Sequence, residues 1–233
     1  MKDTVMRSIA AALVMVICSG SLLYGQGGLV PIDQIYDFGA VGIDFTLFHD
    51  FRLINQGEKP VRLDSVKVAC DCSRVWLVDT TLDPGDTGII SLQFNTKDYY
   101  GRTSKALHVY ADSVQTAHFE CFYLSTVGQW MMGLKPDPIS LFFLPGHEAK
   151  NIKILNPALD GVEVIDIDTH NDWIEVKALE EQAGKQEVLL LQVVAADGLT
   201  KGTYQTNFRI TLSLPEEFEE PLFITVPVKI VRY

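Results

Sequence analysis

The sequence predicts an all-β protein: two tandem immunoglobulin-like β-sandwich domains that follow an N-terminal signal peptide. Apolar and polar residues alternate with a period of two along many short segments, as they do in half-buried strands. Turn-forming residues separate these segments about every 8–12 residues, which is typical of a sandwich. A pattern in the first part of the chain also returns 101 residues later, so that Asn55 corresponds to Asn156. The 233 residues are enough for two sandwiches of about 100 residues each.

Residues 1–25 have the layout of a secretory signal peptide. Lys2 and Arg7 precede an apolar run over 9–17, and small residues follow as far as Gly25. The run is shorter than the roughly 20 residues that span a bilayer, which favours cleavage after Gly25 over an uncleaved anchor. A lipoprotein signal on Cys18 is disfavoured because Ile17 precedes it. We therefore expect a periplasmic or extracellular protein without a transmembrane segment in its mature chain, in a compartment that permits disulfides.

The predicted first domain covers residues 30–127. Its clearest strand spans 45–53, where Phe45, Leu47, His49, Phe51 and Leu53 alternate with polar residues. A histidine on the apolar face of a strand is more often a hydrogen-bonded core residue than a catalyst, and we expect the former. A second alternating strand spans 89–94, and turns with Gly, Pro, Asn or Asp lie at 55–58, 83–86 and 98–101.

The predicted second domain covers residues 136–233 and repeats the first. Segment 152–156 corresponds to 51–55, and Phe208 and Ile210 correspond to Leu107 and Val109. Two copies of one domain explain this register, and glycines and prolines interrupt the pattern between 126 and 138.

An apolar patch marks the predicted boundary between the domains, and it consists of Trp130, Met131 and Met132. We expect it to pack in the interdomain interface. The alternative is an exposed binding patch.

Several segments of the first domain carry a resemblance to a known family. They are Tyr-Asp-Phe-Gly at 36–39, Phe-Arg-Leu-Ile-Asn-Gln-Gly at 51–57, Cys-Asp-Cys-Ser at 70–73, Leu-Asp-Pro-Gly-Asp at 82–86, and Gly101. Together they resemble an exported bacterial family, the domain of unknown function fifteen seventy-three, which is similar to hydin-type and major-sperm-protein-type immunoglobulin-like domains. The resemblance covers residues 36 to about 125. It implies a sandwich fold and export, and no established activity. The family usually has Gly where this chain has Asp71.

The predicted mature chain has three cysteines, and all lie in the first domain. Cys121 could form a disulfide with Cys70 or with Cys72, which would staple the sandwich and stabilise it by roughly 2–4 kcal/mol. A Cys70–Cys72 bridge is a second alternative, and it needs a local turn because an extended strand places these Cα atoms near the upper limit for a disulfide. Inert free thiols are a third.

The same cysteines could also bind a soft metal. Cys70, Cys72, Cys121 and His118 are ligand types that zinc or copper accepts. However, His118 and Cys121 differ by three positions along an apparent strand and so face opposite sides, which favours at most a two-thiolate Cu(I) site on Cys70 and Cys72.

The remaining polar residues predict no active site. No serine lies in a Gly-x-Ser-x-Gly elbow, and no cysteine–histidine pair has local support. His108 is expected to face solvent, and His147 and His170 to lie in loops. Asp166 and Asp168 fit a solvated strand face, and the acidic run 216–220 fits a charged hairpin tip that discourages edge pairing.

Composition argues against one class of partner and does not identify another. The net charge is −11, and lysines and arginines are scattered singly, so a nucleic-acid partner is not expected. We expect a non-enzymatic exported protein without a cofactor, which binds or scaffolds another envelope protein through its sheet edges or loops. The alternative is a periplasmic thiol-redox or soft-metal-handling protein that uses Cys70 and Cys72.

Overall fold

A computed structural model describes residues 28–112 and 118–233. The predicted signal peptide, residues 1–25, lies outside the described residues. Within the described ranges the protein is all-β, as predicted, with one 3₁₀ turn and no α-helix. In this part of the chain, no helical segment has the length and apolar character that crossing a bilayer requires.

The first half of the chain, residues 28–127, contains nine described strands. They are β1 (Leu29–Pro31), β2 (Ile35–Val41), β3 (Thr46–Asn55), β4 (Val61–Val68), β5 (Ser73–Leu77), β6 (Thr81–Leu82), β7 (Thr87–Asn95), β8 (Gly101–Ala111) and β9 (Phe119–Val127). A 3₁₀ turn at Met131–Gly133 follows.

The second half, residues 134–233, contains the remaining nine described strands. They are β10 (Pro136–Asp137), β11 (Leu141–Phe143), β12 (Ala149–Leu155), β13 (Val162–Thr169), β14 (Ile174–Glu180), β15 (Gln182–Ala183), β16 (Val188–Ala195), β17 (Gly202–Ser213) and β18 (Leu222–Arg232).

These strands form two small sheets and one large sheet. The first small sheet has the order β1-β3-β7-β5, and the second has the order β10-β12-β16-β14. The large sheet has ten strands and runs through both halves in the order β15-β13-β17-β18-β2-β9-β8-β4-β6, with β11 paired to β18. The two small sheets therefore have the same strand order, one in each half.

Each small sheet packs against its own part of the large sheet and encloses a hydrophobic core. In the first half, Phe51 and Phe94 of the small sheet meet Leu107 and Val109 of the large one. The second core joins the two sheets in the same way, through Ile152, Leu191, Phe208 and Ile210. Fully burying such a side chain stabilises the fold by about 1.5–3 kcal/mol, so these layers hold the sandwich together.

The repeat reaches the level of single hydrogen bonds. Asn55 and Asn156 are both fully buried, and each side-chain nitrogen donates to a carbonyl across the turn, to Leu82 O at 2.9 Å and to Ala183 O at 3.0 Å respectively. These bonds satisfy carbonyls that burial would otherwise leave unpaired. The division into two domains at residues 128–136 stays a prediction, because the large sheet is continuous across that point.

The two halves meet where β2 pairs with β18 in parallel, at Ala40 and Ile224. Gly39 precedes this pair with a φ of 69°, and a Cβ placed on it would collide with the carbonyl oxygen of Phe223. Only glycine fits both conditions. The Thr225 hydroxyl adds a hydrogen bond of 2.6 Å to the carbonyl of Phe38. The glycine of segment 36–39 is therefore required by the joint between the halves.

Candidate protein-binding surface

Strand β5 is the outer edge of the first small sheet. Among the described strands it pairs with β7 alone, and beside this ladder Val78 N donates to Ile89 O at 3.0 Å and Asn95 N donates to Cys72 O at 2.8 Å. Even-numbered residues of this segment thus bond to β7. Because hydrogen-bonding direction alternates along a strand, the odd-numbered residues direct their N–H and C=O groups toward the open side. These residues are Ser73, Val75 and Leu77.

The outward face of this edge carries two exposed apolar side chains beside one charged one. Trp76 is 47% exposed and Val78 is 55% exposed, and Arg74 is exposed on the same face. On the inner side, Val75 and Leu77 pack against the first core while remaining partly exposed. An edge that offers unpaired backbone groups beside exposed apolar side chains is a template for another strand.

The equivalent strand of the second half, β14, is protected against such pairing. Lys177 lies where the first half has Trp76, and its ammonium group pairs with Glu175 at 2.8 Å. A register shift between Ala178 and Glu180 also interrupts the ladder of β14 with β16. Charges and bulges of this kind blunt an edge strand. The two halves therefore present one open edge and one protected edge.

A disulfide precedes β5 directly. Cys70 and Cys72 are bonded, with their Cα atoms 5.2 Å apart, in the turn that connects β4 to β5. The Sγ atom of Cys72 lies 3.5 Å from the Ser73 hydroxyl, and this hydroxyl shares a hydrogen bond of 2.7 Å with the Tyr123 hydroxyl in the core. The start of the open edge is therefore held both covalently and by a buried hydrogen bond.

The structure differs here from the expected staple between Cys121 and Cys70 or Cys72. Cys121 is a free thiol, 1% exposed, and lies on β9 opposite Leu107 of β8. Burial raises its pKa to about 12, so the thiol stays protonated and inert. The staple does not form because Cys121 lies inside the large sheet, whereas Cys70 and Cys72 lie in a turn at its margin.

The soft-metal alternative gains no support from this arrangement. Two of the three cysteines are joined to each other, and His118 precedes β9 rather than completing a site with Cys121. Among the residues that the structure describes, no group of three or more His, Cys, Asp or Glu side chains could hold a metal ion.

The apolar patch at the boundary is divided in the structure. Trp130 packs against the second core, as expected of an interface residue. Met131 and Met132 are 49% and 44% exposed, contrary to the expectation that they pack in the interface. The reason is local, because Met132 has a φ of 53° in the 3₁₀ turn and the chain turns both side chains outward.

A second surface feature lies between the halves, next to β3. It is a cleft of about 470 Å³ that includes Tyr36 and His49 from the first half and Asp168, His170 and Arg209 from the second. The Tyr36 hydroxyl donates to Asp168 Oδ2 at 3.2 Å, and the Arg209 guanidinium lies 4.2 Å from the Tyr36 ring centre. The sequence predicts Asp168 on a solvated strand face and does not predict its contacts with Tyr36 and Arg209.

His49 is partly buried in the wall of the cleft, and it is not the hydrogen-bonded core residue that the sequence predicts. Its ring stacks on Tyr36 with 3.5 Å between centres, and its buried Nε2 atom has no partner in the described structure. Burial lowers the pKa of His49 to about 3, which keeps the imidazole neutral. Burial also lowers the pKa of His170, whose ring stacks on Phe48.

The other polar residues singled out in the sequence lie apart from both features. His108 Nδ1 lies 2.9 Å from Glu120 Oε1 on the large sheet, and His147 is exposed in a turn. The acidic run 216–220 connects the hairpin strands β17 and β18, with its four glutamates exposed and Phe218 packed on the second core.

Comparison with known proteins finds a family model that matches part of the first half. Residues 32–120 match the family model DUF1573, described as a protein of unknown function. This part of the chain is therefore similar to DUF1573 domains. The DUF1573 match includes the Cys70–Cys72 turn and the whole of β5. The comparison with curated proteins gives no match.

Several solved structures are distantly similar to most of the chain or to about half of it. A protein of unknown function from Porphyromonas gingivalis W83 is 15% identical, covering 87% of this chain and 99% of that one, with a TM-score of 0.32. The periplasmic chaperone SfaE is 12% identical, covering 87% and 100%, with a TM-score of 0.34. A PapD-like domain of human CEP192 is 12% identical, covering 43% and 85%, with a TM-score of 0.33.

Trp76 is the residue of this surface that the sequence reasoning missed. The signal was available, because the 101-residue offset aligns Trp76 with Lys177. A tryptophan on the outward side of a strand whose counterpart carries lysine indicates an edge that is not blunted. Edge position itself could not be read from the sequence, since it depends on the order of strands in the sheet.

Proposed function

We propose that this chain is an exported, non-enzymatic protein of the cell envelope, made of two tandem sandwich domains, that binds a partner protein by strand addition at β5. A bound segment would pair with the backbone groups of Ser73, Val75 and Leu77 and cover the exposed Trp76. Export is supported by the signal-like residues 1–25 and by a disulfide, since disulfides persist in oxidising compartments.

One observation carries this proposal, namely the contrast between β5 and β14. At the central outward position β5 has the exposed Trp76 where β14 has Lys177, paired with Glu175, and a bulge interrupts only the ladder of β14. The flanking positions differ less, since they carry Arg74 in β5 and Val78 just after it, and Glu175 and Leu179 in β14. Protecting an edge is the ordinary solution for a protein that must avoid pairing. Because β14 is protected and the equivalent edge β5 is not, we infer that β5 pairs with a strand of a partner.

The test compares two proline variants at equivalent positions. Val75→Pro removes an outward N–H of β5 and leaves the ladder with β7 intact, because Val75 does not donate to β7. Val176→Pro makes the same change at the equivalent position of β14. We expect a partner crosslinked from an envelope fraction to be lost with Val75→Pro and kept with Val176→Pro, with circular dichroism showing both variants folded.

Trp76→Lys gives this edge the side chain of its protected counterpart. A surface substitution of this kind changes the free energy of unfolding by less than about 0.5 kcal/mol, so its effect on capture reports binding rather than folding. Equal capture by the wild-type chain and all three variants would refute strand addition at β5.

A further inference from the structure

The cleft between the halves carries one negative charge that its own residues leave uncompensated. Three carboxylates and two guanidinium groups line it, namely Asp33, Asp50, Asp168, Arg52 and Arg209. Asp33 is fully engaged, since its two oxygens accept from Arg52 at 2.8 and 3.3 Å. Asp168 accepts from the Tyr36 hydroxyl and pairs with Arg209 Nη2 at 3.7 Å. Within the described part of the chain, Asp50 is the one carboxylate of the cleft without a cationic partner.

Asp50 is held in place by a neutral group. Its Oδ1 atom accepts a hydrogen bond of 2.7 Å from the Ser91 hydroxyl, which fixes the carboxylate and does not neutralise it. The two imidazoles of the cleft do not neutralise it either, because burial lowers the pKa of both His49 and His170. The fixed acceptor therefore favours a ligand that brings its own positive charge.

The walls of the cleft suit such a ligand. Phe48 and His170 stack with 5.8 Å between ring centres, one from each half, and offer aromatic surface to a cation. The cleft already holds one cation in this manner, as Arg209 lies over the rings of Tyr36 and Phe223 at 4.2 and 4.8 Å.

The cleft is continuous with the proposed binding surface. Ser91 of β7 lies opposite Asp50 of β3 on one side and opposite Trp76 of β5 on the other. The three side chains form one row across the outer face of the first small sheet. Since neighbouring strands are about 4.8 Å apart, Asp50 lies about 10 Å from the open edge. A segment that pairs with β5 and then crosses this face can deliver a side chain to the cleft.

We propose that the cleft binds a basic side chain of the partner, an arginine or lysine, through Asp50. This inference rests on the proposed function, because it specifies a residue of the same partner. The ligand is a peptide side chain, and a free diamine is the competing source of the same chemistry.

The test uses small probes and therefore does not depend on strand addition. N-acetyl-argininamide is titrated into the ¹⁵N-labelled chain, with N-acetyl-glutaminamide and putrescine as parallel probes, and backbone amide shifts are followed. We expect saturable shifts at Phe48, Asp50 and His170 with the arginine probe and none with the glutamine probe. Asp50→Asn keeps the shape of the side chain and removes its charge. It should weaken binding of the arginine probe at least about tenfold, which corresponds to the loss of a charge-assisted hydrogen bond. Asp98→Asn, an exposed carboxylate elsewhere in this half, should leave it unchanged.

Other outcomes would overturn the inference. These are no shifts with the arginine probe, equal shifts with the glutamine probe, binding of putrescine alone, or unchanged affinity in Asp50→Asn. Val75→Pro separates the two proposals, since it should abolish partner capture and leave the binding of the arginine probe intact.

Discussion

At the scale of single residues, the side chains between the halves combine tight packing with incomplete hydrogen bonding. His49 stacks on Tyr36 and meets Phe51 edge-on, while its Nε2 atom has no described partner. Arg209 likewise keeps a buried Nε atom unpaired. Unpaired buried groups are costly, so in a stable fold they indicate a position that serves something besides stability.

His49 makes the stability of the protein depend on pH. Its pKa is near 6.5 in the unfolded chain and about 3 in the folded one. Between these two pKa values the unfolded state binds more protons than the folded state. The stabilisation of the fold by the neutral imidazole is therefore fully present above pH 6.5 and is lost as the pH falls toward 3. His49→Phe keeps an aromatic ring and removes the titration.

We expect urea unfolding between pH 6 and 4 to show a slope smaller by up to about 1.4 kcal/mol per pH unit in His49→Phe than in the wild-type chain. His147→Gln, in an exposed turn, is the control and should keep the wild-type slope. Identical slopes for the wild-type chain and His49→Phe would contradict the buried neutral state of His49.

At the scale of elements, the turn from β4 to β5 decides how firmly the open edge is presented. The disulfide constrains residues 70–72, and the Ser73–Tyr123 hydrogen bond ties the first residue of β5 to the core. A strand that begins at a fixed point loses less entropy when a partner pairs with it. The equivalent turn of the second half has no cysteines, since Asn171 and Trp173 occupy those positions.

Thiol labelling tests this turn. In the folded protein we expect iodoacetamide to modify none of Cys70, Cys72 and Cys121, because two are bonded and the third is buried with a raised pKa. Unfolding without a reductant should expose one thiol, on Cys121, and reduction should expose all three. Peptide mass spectrometry identifies the sites, and Cys121→Ala should lose the single label. A label on Cys70 or Cys72 before reduction would contradict the pairing.

At the scale of the whole molecule, the large sheet couples the two halves. Besides the β2–β18 pair, Arg209 Nη1 donates to the carbonyl of Asp37 at 3.0 Å, and Phe48 N donates to Asn207 Oδ1 at 2.6 Å. Buried polar contacts between the halves make separate unfolding costly. We therefore expect the halves to unfold together.

Arg209→Ala should weaken this coupling and lower the free energy of unfolding by about 1–3 kcal/mol, because it leaves the partly buried carbonyl of Asp37 and the carboxylate of Asp168 without their donor. The measurement is denaturant unfolding followed by fluorescence in variants that keep only Trp76 or only Trp173, one from each half. Their midpoints should coincide in the parent chain and separate after Arg209→Ala. Arg102 also contacts Asp37, but its side chain is 66% exposed. Arg102→Gln should therefore lower the free energy of unfolding by less than about 1 kcal/mol.

Periodicity and turn chemistry predict strands well in this chain because both act locally. The 101-residue offset aligns β4 with β13 and β7 with β16 at their first residues. What the sequence does not predict is the pairing of β2 with β18, since it depends on how two similar units dock. The cleft and the contacts of Asp168 and Arg209 follow from that docking. The sequence does not predict the cysteine pairing either, because spacing alone does not place Cys121 inside the large sheet.

The unequal edges β5 and β14 also bear on stoichiometry. A chain with two receptive edges would join partners on both sides and propagate into a filament, as edge-to-edge assemblies do. With β14 protected by Glu175 and Lys177, a strand added at β5 cannot be followed by an equivalent one at β14. Through this pair of edges the proposed complex therefore takes one partner per chain and does not propagate.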